Sequence, residues 1–92
     1  MPPERVFVVV LGADQKGIIA RISTILYEKN ANIEDVQQKI MDGTFVMTLL
    51  ADVSECSCDT AGLRDSLEDL GAQMGLTIMV QAESVIKAMQ RI

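Results

Sequence analysis

The sequence predicts an α+β domain with the ferredoxin-like order β-α-β-β-α-β, in which a four-stranded antiparallel sheet carries two helices on one face. Three observations indicate this fold. Four segments are apolar throughout or alternate as strands do, and two segments repeat apolar residues at helical spacing. The pair Asp42-Gly43, a strong signal for a two-residue hairpin, stands between two similar halves. We expect right-handed crossovers, which place both helices on the same face.

The first half predicts a central strand, a helix and an edge strand. Residues 5–12 read RVFVVVLG and are apolar on both faces, as in a central strand. A helix follows, because apolar residues recur every three or four positions: Ile18, Ile19, Ile22, Ile25 and Leu26. Asn30 suits the end of this helix, since Asn tolerates a positive φ. The second strand, residues 33–41, has a charged face that suits a sheet edge.

The second half predicts a strand, a helix, a strand and a tail. Residues 44–53 alternate as a strand, and residues 54–59 form a loop. Asp59 or Thr60 caps the second helix, Gly75 ends it, and one apolar stripe runs along it: Leu63, Leu67, Leu70 and Met74. Residues 76–83 alternate as the last strand, and residues 84–92 form a helical tail. We therefore expect one domain over residues 1–92, with a core at 5–83.

The amino-acid composition disfavours several classes of function. Eight basic and 13 acidic residues give a net charge of −5, which disfavours a nucleic-acid surface. There is no His, so the commonest general base and metal ligand is missing. The longest apolar run, Val6 to Leu11, is far shorter than the ~20 residues of a membrane span. Residues 1–5 contain no apolar signal region. We expect a cytoplasmic domain that is not an enzyme and contacts neither nucleic acid nor membrane.

Two cysteines, Cys56 and Cys58, lie in the predicted loop before the second helix. A pair this close could bind a soft metal, but a structural zinc site takes four protein ligands. We interpret them as reduced loop cysteines, and the sequence predicts no metal and no cofactor.

The loop GADQKG, residues 12–17, joins the first strand to the first helix. Unpaired N–H groups and the dipole at a helix N-terminus attract anions, and Gly17 has no side chain to obstruct them. The alternative is structural: Gly17 only permits a tight turn, and Asp14 caps the helix.

Residues 14–22, DQKGIIARI, together with Leu26, Glu28 and residues 30–33, NANI, resemble the ACT domain. The resemblance implies a βαββαβ sensor of small molecules, often amino acids. The chain most resembles the stand-alone single-ACT proteins. It is also similar to the N-terminal ACT segment of formyltetrahydrofolate deformylases and to glycine-cleavage regulators.

The resemblance also implies a ligand site, which comprises Gly12, Asp14, Gln15, Lys16, Gly17, Ile18, Asn32 and Ile33. Gly17 matches the loop glycine of the family, and Asn32 matches an Asn that helps hold an amino acid. Lys16 stands where the family often has Pro, and Gly12 stands where some members have a contacting side chain. In this picture N–H groups around residues 16–18 bind the carboxylate, and Asp14 binds the ammonium. Asn32 both donates and accepts hydrogen bonds, unless it is only a turn residue.

An apolar open sheet face predicts assembly. The strand alternation leaves one face uncovered, on which lie Phe7, Val9, Leu11, Val46, Leu50 and Met79. Soluble monomers rarely expose such a patch, so we expect a homodimer or a higher homo-oligomer, through the sheet face or by pairing of sheet edges.

Three functions fit these residues. The first is a homodimeric regulatory module that binds a small molecule, with an amino acid as the expected effector and a partner enzyme regulated in trans. The alternative is a dimerisation or protein-interaction module without a ligand. A remote alternative is an acylphosphatase-like hydrolase, because five residues partly match the loop Gly-x-x-Gln-Gly-Val-x-x-x-Arg: Gly12, Gln15, Gly17, Ile18 and Arg21. Lys16 interrupts that match, and residues 44–53 lack the Asn of that site.

Overall fold

The computed structural model describes residues 4–56 and 59–90 and shows the predicted α+β fold. The elements in chain order are β1 (Arg5–Ala13), α1 (Ile18–Glu28), β2 (Asn32–Met41), β3 (Thr44–Asp52), α2 (Thr60–Met74), β4 (Thr77–Ala82) and α3 (Glu83–Met89). The strands form one antiparallel sheet in the order β2-β3-β1-β4. β2 is therefore an edge strand and β1 a central one, as predicted.

One face of the sheet forms the core with α1 and α2. The strands contribute alternate residues, among them Val6, Val8 and Val10 of β1. The helices contribute the stripes that their spacing predicted: Ile18, Ile22 and Leu26 from α1, and Leu63, Leu67 and Leu70 from α2. The opposite face, called the open face below, carries half-buried Phe7 and Val9, and the Met79 side chain there is 49% exposed. The predicted apolar open face is confirmed.

Turn chemistry sets the ends of the elements. Asp59, not Thr60, caps α2, and its carboxylate accepts a 2.8 Å hydrogen bond from the N–H of Gly62. Asn30 follows α1 with a φ of 64°, as predicted for a left-handed stop. Asp42 and Gly43 have φ values of 51° and 80°, those of a type I′ hairpin turn.

The predicted element bounds differ from the observed ones by about one residue at most ends. β1 continues to Ala13, β2 begins at Asn32, β3 ends at Asp52, and β4 spans Thr77–Ala82. α3 begins at Glu83 within the predicted tail, while residues 91 and 92 lie outside the described part of the chain. In the described residues, no helix is long and apolar enough to cross a bilayer.

Candidate functional site

The β1–α1 loop and the end of β2 enclose a cleft of about 510 Å³. From the loop and the first turn of α1 it is lined by Asp14, Gln15, Gly17, Ile18, Ile19 and Ala20. From the hairpin strands it is lined by Gln38, Lys39, Ile40 and Phe45. A cleft of this size is within the range that holds small molecules.

Gly17 is the N-cap of α1 and has a left-handed backbone with φ 85°. No side chain caps this helix, so the structural alternative in which Asp14 caps it is wrong. The first intrahelical bond runs from the N–H of Arg21 to the carbonyl of Gly17. The N–H groups of Ile18, Ile19 and Ala20 therefore have no intrahelical partner, and all three residues line the cleft.

Two hydrogen bonds fix the loop to the rest of the domain. The N–H of Asp14 donates to the carbonyl of Gly43 in the β2–β3 hairpin at 3.1 Å. The side-chain amide of Gln15 donates to the carbonyl of Met74, at the end of α2, at 2.9 Å. The loop is thus attached on both sides of the first strand.

The Asp14 carboxylate accepts no hydrogen bond from any residue that the structure describes, and Asp14 is exposed at the cleft. The cleft therefore combines unpaired N–H donors with one free carboxylate. The apolar part of its wall is formed by Ile18 and Phe45, which are nearly buried, and by Ile40, which is 59% exposed. Such a surface suits a zwitterion that carries an apolar group.

Five of the eight residues predicted for the ligand site lie in or beside this cleft. Asp14, Gln15, Gly17 and Ile18 line it, and exposed Lys16 lies in the same loop. Gly12 does not line it. A Cβ on Gly12 would lie 2.5 Å from Cδ2 of Leu76, so this glycine makes room for the residue that precedes β4.

The structure does not bring Asn32 and Ile33 to the cleft. They begin β2, where Asn32 lies opposite Asp52, whereas the cleft lies at the Met41 end of that strand. The cleft residues of this strand, Gln38 to Ile40, lie six to eight residue steps from Asn32. These steps amount to about 20–26 Å, so one chain cannot place both groups on one small ligand.

A charge cluster occupies the Asn32 end of the sheet. Arg5 forms ion pairs with Glu83 at 2.9 Å and with Glu34 at 3.2 Å. The hydrogen bonds that Arg5 donates to Glu83 and Glu34 raise the pKa of its guanidinium. The backbone N–H of Ser54 donates to Asp52 and lowers the pKa of that carboxyl. The acidic groups nearest Arg5 are already paired, unlike Asp14 at the other end.

The residues quoted for the remote hydrolase alternative do not meet at one site. Arg21 projects from α1 and donates to Oε1 of Gln73 on α2 at 3.1 Å. It lines a separate groove between the two helices, not the cleft at the loop. Among residues 44–52 of β3 there is no Asn.

The cysteines can be placed only in part. Cys56 is half-buried and packs against the core, and Cys58 lies outside the described residues. Within the part of the chain that is described, no three His, Cys, Asp or Glu side chains are grouped to hold a metal ion.

A sequence model of the ACT domain matches residues 4–81. The chain belongs to the ACT domain family. A UPF0237 protein of Methanocaldococcus jannaschii is 47% identical over 88 residues, which is 96% of this chain and 98% of that protein. The predicted resemblance to stand-alone single-ACT proteins is thereby confirmed.

Solved ACT structures have the same fold. An ACT domain protein from Streptococcus pneumoniae superimposes with a TM-score of 0.80 at 27% identity, over 92% of this chain and 96% of that one. A formyltetrahydrofolate deformylase from Pseudomonas syringae matches with a TM-score of 0.81 at 18% identity, over 88% of this chain and 28% of its own. A protein described as a glycine cleavage system transcriptional repressor matches with a TM-score of 0.74 at 19% identity, over 89% of this chain and 47% of its own. At such identities the last two show the fold alone.

Proposed function

We propose that this ACT domain is a cytoplasmic regulatory module that binds an α-amino acid in the cleft and acts as a homodimer. One observation carries the proposal: three N–H groups without intrahelical partners and one unpaired carboxylate line the same cleft. The ammonium of a zwitterionic amino acid can then pair with the protein carboxylate, and its own carboxylate can accept hydrogen bonds from the N–H groups.

The carboxylate of the ligand accepts hydrogen bonds from the N–H groups of Ile18, Ile19 and Ala20. Hydrogen bonds to a charged acceptor stabilise more than neutral ones, and the helix dipole adds to the attraction. Because Gly17 presents no Cβ, the anion reaches these donors without a steric barrier.

The ammonium group of the ligand pairs with the Asp14 carboxylate. Asp14 is placed for this by its own backbone bond to Gly43. An apolar side chain of the ligand would contact Ile40 and Phe45, which line the same cleft. Asn32 and Ile33 belong to the proposed site only as contributions of a second copy of the chain.

Regulation is proposed because the chain belongs to the ACT domain family, whose resemblance implies a sensor of small molecules. The regulated partner is proposed to be a separate enzyme that the domain contacts in trans. The ligand-free interaction module remains the second candidate, favoured by half-exposed Met79 on the open face and by Val85 and Met89 on α3.

A thermal-shift screen of the twenty amino acids tests the proposal. A ligand that binds only the folded state adds about 2.7 kcal/mol to the free energy of unfolding at a hundredfold excess over Kd. For a domain of this size we expect Tm to rise by about 10–20 °C with the correct amino acid. The matching amine without a carboxylate and the matching keto acid without an ammonium should each give a smaller rise.

Asp14→Ala provides the internal control for the same screen. It should reduce the effect of the amino acid more than that of the keto acid, because only the amino acid has an ammonium to pair. If no amino acid raises Tm, the cleft is not an amino-acid site and the interaction module is the better account.

A further inference from the structure

The wall of the cleft includes an amide side chain that the domain itself does not use. Four residues with polar side chains line the cleft: Asp14, Gln15, Gln38 and Lys39. The Gln15 amide is engaged, because it donates to the carbonyl of Met74 at 2.9 Å. Lys39 lies opposite Val46 of β3, so its side chain belongs to the open face. Gln38 makes no hydrogen bond with any residue that the structure describes.

Gln38 occupies a position whose surroundings are apolar. It lies on the helix-side face of β2, because it is opposite the buried Met47 of β3. Its two neighbours on this face along β2 are Val36 and Ile40, which also lie opposite buried residues of β3. The face of an antiparallel sheet that packs on the core is normally apolar. An apolar side chain would therefore suit this position better for packing, and the amide is available to a ligand in the cleft.

The position of Gln38 assigns it to the side chain of the ligand. The N–H groups of residues 18–20 and the carboxylate of Asp14 are taken by the two charged groups of the proposed amino acid. Ile40 and Phe45 contact methylene groups of its side chain in the same cleft. Gln38 is two residues from Ile40 on the same face, a distance of about 7 Å along the strand. A side chain that passes Ile40 therefore ends beside the Gln38 amide, which favours a ligand with an apolar stem and a polar end.

The hydrogen-bonding groups of Gln38 decide which polar end fits. The amide presents an acceptor, Oε1, beside a donor, Nε2. A carboxamide on the ligand uses both, because its N–H donates to Oε1 while its oxygen accepts from Nε2. A carboxylate has no hydrogen for Oε1, and an ammonium has no acceptor for Nε2. A methyl group would leave both groups of Gln38 without a partner, which costs binding free energy.

We propose that Gln38 determines the specificity of the cleft, which prefers an α-amino acid whose side chain ends in a carboxamide. Glutamine and asparagine are the two amino acids of this class, and they differ only in the length of the stem. This inference rests on the proposed function, because it places an amino acid in the cleft. It goes further by naming the class of side chain and the residue that selects it.

Calorimetric titration of two matched sets of ligands tests the selection. Glutamine is compared with glutamate and methionine, and asparagine is compared with aspartate and leucine. Each set keeps the approximate size of the side chain and changes the chemistry of its end. With the wild-type chain, one of the two carboxamide amino acids should bind about tenfold or more tighter than both of its counterparts, because only the carboxamide pairs with both groups of Gln38.

Gln38→Leu removes the amide and continues the apolar face of β2. In this variant the preference for the carboxamide over its apolar counterpart should fall to about twofold or less, while the apolar counterpart binds at least as tightly as it binds the wild type. Gln37→Leu is the matched control. It makes the same change at the next residue of β2, which lies opposite Thr48 on the open face and does not line the cleft. Gln37→Leu should leave the preference unchanged.

Three results would overturn this inference and leave the amino-acid site in place. They are equal affinities of the carboxamide and its counterparts, a preference that Gln38→Leu retains, and a preference that Gln37→Leu loses to the same extent. In each of these cases an amino acid still binds, so the proposed function stands. If no amino acid binds the wild-type chain, the proposed function is wrong and the role of Gln38 falls with it.

Discussion

Gly17→Val is expected to weaken binding of the amino acid at least tenfold while the domain still folds. A Cβ at this position meets no heavy atom within 4 Å, so it projects into open space beside the unpaired N–H groups. The valine side chain would obstruct the carboxylate there, and each lost charged hydrogen bond is worth about 1.5–3 kcal/mol. Calorimetric titration of the amino acid into both proteins measures the change.

Gly75→Val is the matched control for backbone strain. Gly75 also has a left-handed backbone, with φ 70°, and also has no heavy atom within 4 Å of an added Cβ. It ends α2 and does not line the cleft. Both variants should therefore lose about 1–2 kcal/mol of stability, but only Gly17→Val should lose affinity. Equal affinities in the two variants would show that the ligand does not approach Gly17.

Gly71→Val is expected to be the more damaging substitution for stability. Gly71 lies in α2 where this helix crosses the start of β4, and an added Cβ would lie 2.7 Å from the carbonyl oxygen of Leu76. Because the obstacle is backbone, α2 must move away from the sheet. Overpacking of this kind costs about 1–3 kcal/mol, and the larger valine should be at the upper end. Thermal unfolding should show a Tm about 10 °C or more below that of the wild type.

Ala72→Val separates this packing effect from helix propensity. Ala72 is the next residue of α2 and is exposed. A valine there costs less than about 1 kcal/mol by propensity alone. If Gly71→Val and Ala72→Val have the same Tm, the close approach of α2 and β4 does not limit stability.

Much of the fold could be predicted because local signals agree with the tertiary arrangement. The continuous apolar run of β1 is typical of a central strand, and β1 lies between β3 and β4. The charged face of β2 and the Asp42-Gly43 turn are local features whose outcome depends little on distant residues. Element ends were less exact, since Ala13 and Asn32 join their strands through pairing that the local sequence does not show.

Only the first half of the predicted ligand site lies at the cleft. Asp14 and Gly17 both lie in the loop of residues 12–17, directly before the start of α1, so one sequence motif includes both. The family resemblance groups Asn32 with them, although α1 returns the chain to the opposite end of the sheet. The β-α-β order alone predicts this position of Asn32, because β2 begins at the same end of the sheet as β1. The same order could have identified Gln38, Ile40 and Phe45, which flank the hairpin beside the end of β1.

The most direct measurement of the proposed site is an amide NMR titration of the 92-residue chain with the amino acid that raises Tm most. Amide signals report each backbone N–H separately, and the proposal depends on three of them. The largest shifts are expected at Ile18, Ile19 and Ala20, with smaller shifts at residues 38–40, and they should saturate with a single Kd. Two results would contradict an amino-acid site at the start of α1. One is saturating shifts confined to other residues, such as those that line the groove between α1 and α2, and the other is the absence of any saturating shift.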